Sequence, residues 1–251
     1  MDNKDIVITS AFRTAISSLD GSLSEYSASE LGSFVIKKCM EHSNLQKDDV
    51  DTVYMGQVLQ AGAGQNPARQ SAMKAGIDKS TSATTINQVC GSGLSAISLG
   101  FNSLKLKDTK IVIAGGQESM TNSPHYINFR KDKILLENKL KDSMIVDGLI
   151  DFYNQYHMGV TAENVAKKFS ISRNDQDLFA YKSQIKTKEA ISKGKFNDEI
   201  VSIKLKNGST FNKDEHPRTD VDIEKLSKLK PAFKENGTVT AGNSSGINDG
   251  A

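Results

Sequence analysis

Cysteine is scarce in this chain. Only Cys39 and Cys90 occur in 251 residues, and there is no Cys-x-x-Cys pair. That scarcity argues against a disulfide framework or a structural zinc site and fits a reducing compartment. No stretch approaches the ~20 consecutive apolar residues of a membrane-spanning helix. The apolar run within Met1–Ile8 is too short for a secretory signal. A charge excess is missing too: 32 basic residues against 30 acidic ones leave a net +2. Such balance speaks against a nucleic-acid surface, though a local patch for an anionic ligand is compatible with it. The expectation is a soluble, cytoplasmic protein in which the sequons at Asn207, Asn236 and Asn243 are chance. What is present, 37% hydrophobic residues over this length, suffices to bury the core of one large domain or two modest ones.

One stretch organises the rest. Thr85–Ala96 begins with β-formers and ends in an amphipathic helix predicted to run to about Leu104, with Cys90 at the joint. There the unpaired N–H groups of a first helical turn and the helix dipole favour a thiolate over a thiol. Gly91 and Gly93 let a substrate approach the backbone donors. The arrangement is that of a nucleophile elbow with sulfur in place of oxygen. A buried, inert cysteine is the competing reading for any isolated Cys.

Around that joint, strand and helix signals alternate. Asp5–Ser10 predicts a strand. Ser27-Ala28-Ser29-Glu30 has capping-box form and opens a helix with Leu31, Phe34, Val35 and Cys39 on one face, which makes Cys39 a packing residue. Further strands are predicted at 52–58, 83–87 and 110–115, the last as a central buried strand, with a helix starting at Asn66-Pro67. Gln60–Gly64 lacks the spacing of either glycine-rich phosphate fingerprint. Alternation of this kind defines an α/β layer with a largely parallel sheet. Its ligands collect at the carboxyl ends of strands, where Cys90 and Gly116–Met120 both fall. Residues 122–151 are weakly periodic, as a long excursion would be. Helices are expected at 161–169 and 172–192, a strand at 200–205, and an irregular tail over 214–251.

Six segments stand out together: Gly64–Gln70 (GQNPARQ), Ile86–Ile97 (INQVCGSGLSAI), Gly115–His125 (GGQESMTNSPH), Tyr156–Ala166 (YHMGVTAENVA), Asp214–Arg218 (DEHPR) and Leu229–Ala251. In this order they resemble the thiolase family, in particular its acetyl-CoA C-acetyltransferases. The resemblance implies a thiolase-like N-terminal half, a mixed, largely parallel sheet flanked by helices, over residues 1–120. It places an inserted α+β loop domain for CoA binding and oligomer contacts over 121–251. The implied reaction condenses two acetyl-CoA to acetoacetyl-CoA plus CoA, reversibly, through an acyl group on Cys90. The resemblance also implies that the enolate of the second acetyl-CoA meets donors aimed at its oxygen, a role worth about 3–4 kcal/mol for a single donor, and that the Cys90 backbone N–H helps bind the acyl oxyanion. Carried over residue by residue, Leu149, His157, Met158, Arg218, Phe233, Ala241, Gly242 and Ser245 bind CoA, with Arg218 near the adenosine end. Lys225 stands where the family often has a small polar residue. Neither His125 nor His216 receives a role, and Glu118 is implied to hold backbone near the nucleophile. No metal or cofactor is implied, since the CoA thioester is the substrate. The expected assembly is a homo-oligomer, dimer or tetramer.

The pattern is incomplete. The family's second half, with its Gly-His-Pro motif and second cysteine, has no counterpart here, and no Gly-His pair occurs. The chain alone is therefore expected to bind CoA weakly and to condense nothing, and to expose an apolar helix face. Alternatives are a non-catalytic CoA-binding fragment or half-subunit, a 3-ketoacyl-CoA thiolase with longer-chain substrates, and an unrelated cysteine hydrolase pairing Cys90 with His125 or His157.

Overall fold

The structure is a computed structural model that describes residues 5–127 and 140–251. In chain order it contains β1 (Arg13–Thr14), β2 (Ser17–Ser18), α1 (Ala28–His42), β3 (Thr52–Gly56), α2 (Pro67–Lys74), β4 (Ser82–Ile86) and α3 (Ser92–Lys105). There follow β5 (Val112–Gly116), β6 (Glu118–Ser119), β7 (His125–Tyr126), β8 (Lys141–Asp142), α4 (Met158–Lys168) and α5 (Arg173–Ser192). The last elements are β9 (Ile200–Val201), β10 (Ile203–Lys204), β11 (Thr210–Phe211), α6 (Ile223–Ser227) and β12 (Asn248–Gly250). No helix among the described residues is long and apolar enough to cross a membrane.

The described residues up to Met144, with Glu199–Glu215 and Asn248–Ala251, form one compact unit; Ile145–Asp198 and His216–Ile247 form another. A sequence cut at 120/121 assigns 121–144, 199–215 and 248–251 to the second domain, but they group with the first unit: Thr121 bonds Asp249 and Asn122 bonds the Ser24 and Tyr26 carbonyls, and strand pairing draws in the other two stretches. β9 runs parallel to β1, and β12 lies antiparallel between β2 and β6.

In the first unit, β4, β3 and β5 pair in parallel in that order. The step from β3 to β4 goes one way across the sheet and the step from β4 to β5 goes back past β3. With both crossovers right-handed, α2 and α3 must cover opposite faces. Packing agrees. Val53 and Met55 point to the α1–α2 side, into a core with Ile36, Met40, Ala68 and Ala72. On the other side Gly100 of α3 lies against Val112 and Ala114. The capping box at Ser27 and Glu30 starts α1, and Asn66 caps α2 with Pro67 in its first turn. The outer face of α3 leaves Leu94 (74%) and Phe101 (50%) exposed, with Ile97 and Leu99 beside them.

Several sequence expectations need correction. Asp5–Ser10 forms no strand: no described segment pairs with that run, and Val7 and Ile8 are 69% and 81% exposed. The predicted central strand at 110–115 is β5, which lies at an edge of its sheet; β3 is the central strand. The strand predicted at 52–58 ends at Gly56: Gln57 N still donates to Ile86 O at 3.0 Å, but the Val58 and Leu59 N–H groups turn to the Glu118 side chain. The run 200–205 splits into β9 and β10, which pair with different partners. The supposedly irregular tail contains α6 and β12. Of the excursion at 122–151, residues 128–139 lie outside the described residues; the flanking β7 and β8 pair with each other.

The second unit is built mainly from helices. α4 is capped by His157 and α5 by Ser172 with Asp175 in a second capping box. Asp177, buried, joins Arg173 at 2.7 Å and accepts from Asn243 at 2.9 Å, which fastens the loop after Val239 to α5.

Candidate functional site

Cys90 is a free thiol and exposed. Its position follows from how the chain leaves β4. Glycines at Gly56, Gly93 and Gly116 let the start of α3 sit directly on the strand ends. A Cβ at Gly56 would lie 2.6 Å from the Ser92 carbonyl carbon and 2.7 Å from the Gly93 nitrogen. α3 begins at Ser92, and its N-cap, Gly91, offers no side chain to cap it.

The turn before it is strained. Val89 has φ +49°, a left-handed conformation that costs a β-branched residue roughly 1–2 kcal/mol. A web of hydrogen bonds holds it there. Gly91 N donates to Gln88 O at 3.1 Å, Ser92 N to Val89 O at 3.0 Å, and Val89 N to Asn87 Oδ1 at 3.0 Å. The buried Ser92 hydroxyl accepts from Gln88 N at 2.9 Å and donates to Val89 O at 2.6 Å. Strain of this kind clusters at functional positions.

Side-chain hydrogen bonds fix the loop beside this turn. Glu118 accepts from Val58 N at 2.9 Å and Leu59 N at 3.1 Å, while Asn87 Nδ2 donates to Val58 O at 3.2 Å. Burial pushes the Glu118 carboxyl up, and Asp249 adds to this, while the two backbone donors only partly oppose it. Glu118 therefore serves as a backbone clamp. Buried Gln57 and Gln117 extend the network: Gln117 Nε2 donates to Gln57 Oε1 at 2.9 Å. Sequence reasoning missed Gln57, Asn87, Ser92 and Gln117; Asn and Ser inside a strand-to-helix joint, where they bond local backbone, were the available signal.

The other residues named from the sequence lie in the second unit. The structure brings His157 and Phe233 together, their rings stacked at 4.8 Å and 17°. His157 Nδ1 accepts from Gly159 N at 2.9 Å, and only a glycine at 159 leaves room for the Phe233 ring, which a Cβ would meet at 2.1 Å. Met158 opens α4 and is partly exposed. Ile150, next to Leu149, bridges to His157. Pro231 bridges to Thr240 and Ala232 N donates to Val239 O at 2.9 Å, so the segments carrying Phe233 and Ala241–Gly242 run side by side. Gly242 packs against Leu226 and Leu229, and Ser245 is exposed. Glu163 pins the same loop, accepting from Thr238 N and Val239 N at 2.7 Å and from Thr238 Oγ1 at 2.9 Å. Burial works against its charge, but these bonds outweigh it and hold the carboxyl below its usual range. Arg218 is exposed, with its backbone N–H on Gln184 Oε1 at 2.8 Å. His125 is exposed and lies 3.8 Å from Asp142.

The site is thus an exposed cysteine on a strained turn between strand and helix in an α/β layer. Over residues 6–251 the sequence matches the family described as thiolase, N-terminal domain, and the chain belongs to that family. It is 49% identical to the acetyl-CoA acetyltransferase of Allochromatium vinosum, over 99% of this chain and 64% of that protein. It is 50% identical to the acetyl-CoA acetyltransferase of Cupriavidus necator, over 98% of this chain and 64% of the relative. A probable acetyl-CoA acyltransferase of Staphylococcus aureus is 46% identical, again over 98% of this chain and 64% of its own length. The chain thus spans just under two thirds of these relatives.

Proposed function

We propose that this chain carries the nucleophile and the CoA-binding residues of an acetyl-CoA acetyltransferase. The Cys90 thiolate attacks the carbonyl carbon of acetyl-CoA. The new C–S bond forms as the bond to CoA breaks, and the departing CoA thiolate takes a proton from solvent. One thioester replaces another, so the exchange is nearly balanced. Condensation then needs removal of an α-proton from a second acetyl-CoA, and the resemblance locates the groups for that step outside these residues. His157, Met158, Phe233 and the 241–245 loop, with Leu149 and Arg218, hold the CoA. A cytoplasmic location and a homo-oligomer belong to the same proposal. The observation that supports it best is the open, strained Cys90 turn in a chain whose relatives are named as acetyl-CoA acetyltransferases.

Incubation with millimolar acetyl-CoA followed by intact mass spectrometry and peptide mapping tests it. One acetyl group is expected on Cys90, absent in Cys90→Ala, with no thiolysis of acetoacetyl-CoA by the chain alone. An unmodified Cys90 would overturn the reading, and hydrolysis of thioesters without preference for CoA would favour a hydrolase.

A further inference from the structure

The chain passes from β4 into α3 through residues 87–91, and the peptide joining Val89 to Cys90 decides what the nucleophile presents. Its carbonyl, Val89 O, accepts from both the backbone N–H and the hydroxyl of Ser92, at 3.0 and 2.6 Å. A trans peptide is planar, and its N–H points opposite to its C=O. A carbonyl drawn into the start of α3 therefore turns the Cys90 N–H away from it. The positive φ at Val89 is what this orientation demands of the chain, and a half-exposed valine side chain gains little burial to offset it. The Ser92 hydroxyl also accepts from Gln88 N at 2.9 Å, so one buried oxygen ties the Asn87–Gln88 peptide to the Val89–Cys90 peptide.

We propose that Ser92 is a positioning residue for acyl transfer. Its hydroxyl locks the Val89–Cys90 peptide so that the Cys90 N–H is aimed at the acyl oxygen as negative charge develops there. The proposal rests on the acyl-transfer reading above. When sulfur adds to a thioester carbonyl, the π electrons move onto oxygen, and a donor aimed at that oxygen lowers the barrier. When the same thiolate displaces iodide from iodoacetamide, a C–S bond forms and a C–I bond breaks with no oxyanion. The two reactions of one thiol therefore separate aim from access.

Ser92→Ala in the 251-residue chain tests the proposal. Hydrogen exchange across Gln88–Ser92 is expected to speed up. Acetylation of Cys90 by acetyl-CoA is expected to fall about tenfold or more, the order seen for losing part of an oxyanion donor. Alkylation by iodoacetamide should stay within about twofold, since that transition state needs no such donor. Val89→Gly in the Ser92→Ala background should recover most of the acetylation, because glycine adopts positive φ without penalty. Equal slowing of both reactions, or no recovery with glycine, would show a merely structural serine and overturn the proposal. Unchanged exchange in Ser92→Ala would remove the lock itself. If wild-type Cys90 alkylates but takes no acetyl group, the acyl-transfer reading fails and the aim of the N–H with it, while exchange still decides whether the lock exists.

Discussion

Glu163 shows how one side chain can govern a loop. It sits on α4, but its carboxylate is spent on the backbone and hydroxyl of residues 238–239. Glu163→Gln replaces one acceptor oxygen with an NH2 group that faces donors. A loss of about 1–3 kcal/mol is expected, as for an unpaired buried donor, read as a lower thermal midpoint. CoA affinity, measured by calorimetry, should fall with it if the 238–245 loop lines the CoA groove; unchanged affinity would separate the loop from that groove. At this scale the sequence was unevenly legible. Cys90 stood out because glycines and a strand–helix joint surround it. The positive φ of Val89 did not, because valine carries no local preference for it. That conformation arises only where Ser92 and the close approach at Gly56 pin the start of the helix.

Elements were easier to read where local chemistry marks their ends. The Ser27–Glu30 capping box and Asn66-Pro67 place the starts of α1 and α2 to within a residue. Strands depend on partners that sequence does not display. Asp5–Ser10 has strand composition and no partner, whereas Asn248–Gly250 has turn composition and becomes the middle strand of a sheet. The joint between β3 and α3 depends on backbone contact in the same non-local way. Gly56→Ala would drive a methyl group into the Ser92–Gly93 peptide at 2.6–2.7 Å, and backbone cannot swing aside as a side-chain tip can. The expected loss is at least the roughly 1–3 kcal/mol of an overpacked core site, read by urea unfolding. Cys90 acetylation should fall too, since α3 must shift off the strand ends. Acetylation at the wild-type rate in a folded Gly56→Ala protein would show that the seat of α3 does not set the nucleophile.

On the scale of the whole chain, the first unit is assembled from separate stretches, and an ion-pair clamp joins them. Arg13 Nη1 and Nη2 grip Asp214 at 2.7 and 3.0 Å, and its Nε meets Glu199 at 2.5 Å. Asp214 also accepts from Ile16 N at 2.8 Å. The clamp thus fastens both ends of the returning segment 199–215 beside β1. Sequence pattern alone could not foresee this, because 186 and 201 positions separate the partners. Burial by itself would push the Asp214 carboxyl up, but the bonds from Arg13 and Ile16 and the charge of Arg13 outweigh it and hold it below the usual range. An acid depressed in the folded state takes up its proton more readily when unfolded. Its contribution is therefore complete above the unfolded value near pH ~3.9 and drains away as pH falls through the lower folded value. Asp214→Asn should lower stability at neutral pH by about 2–3 kcal/mol, less than the roughly 3–5 for breaking a fully buried pair, since Arg13 keeps some solvent contact. It should also flatten the acid limb below about pH 4, where the wild type loses what the variant already lacks. Urea unfolding at pH 7 and at intervals down to about pH 2 would show the two stability curves converging on that limb, the range where aspartate protonates. Curves that fall in parallel would mean that acid acts on carboxylates elsewhere and that the Arg13–Asp214 clamp is not what opens first.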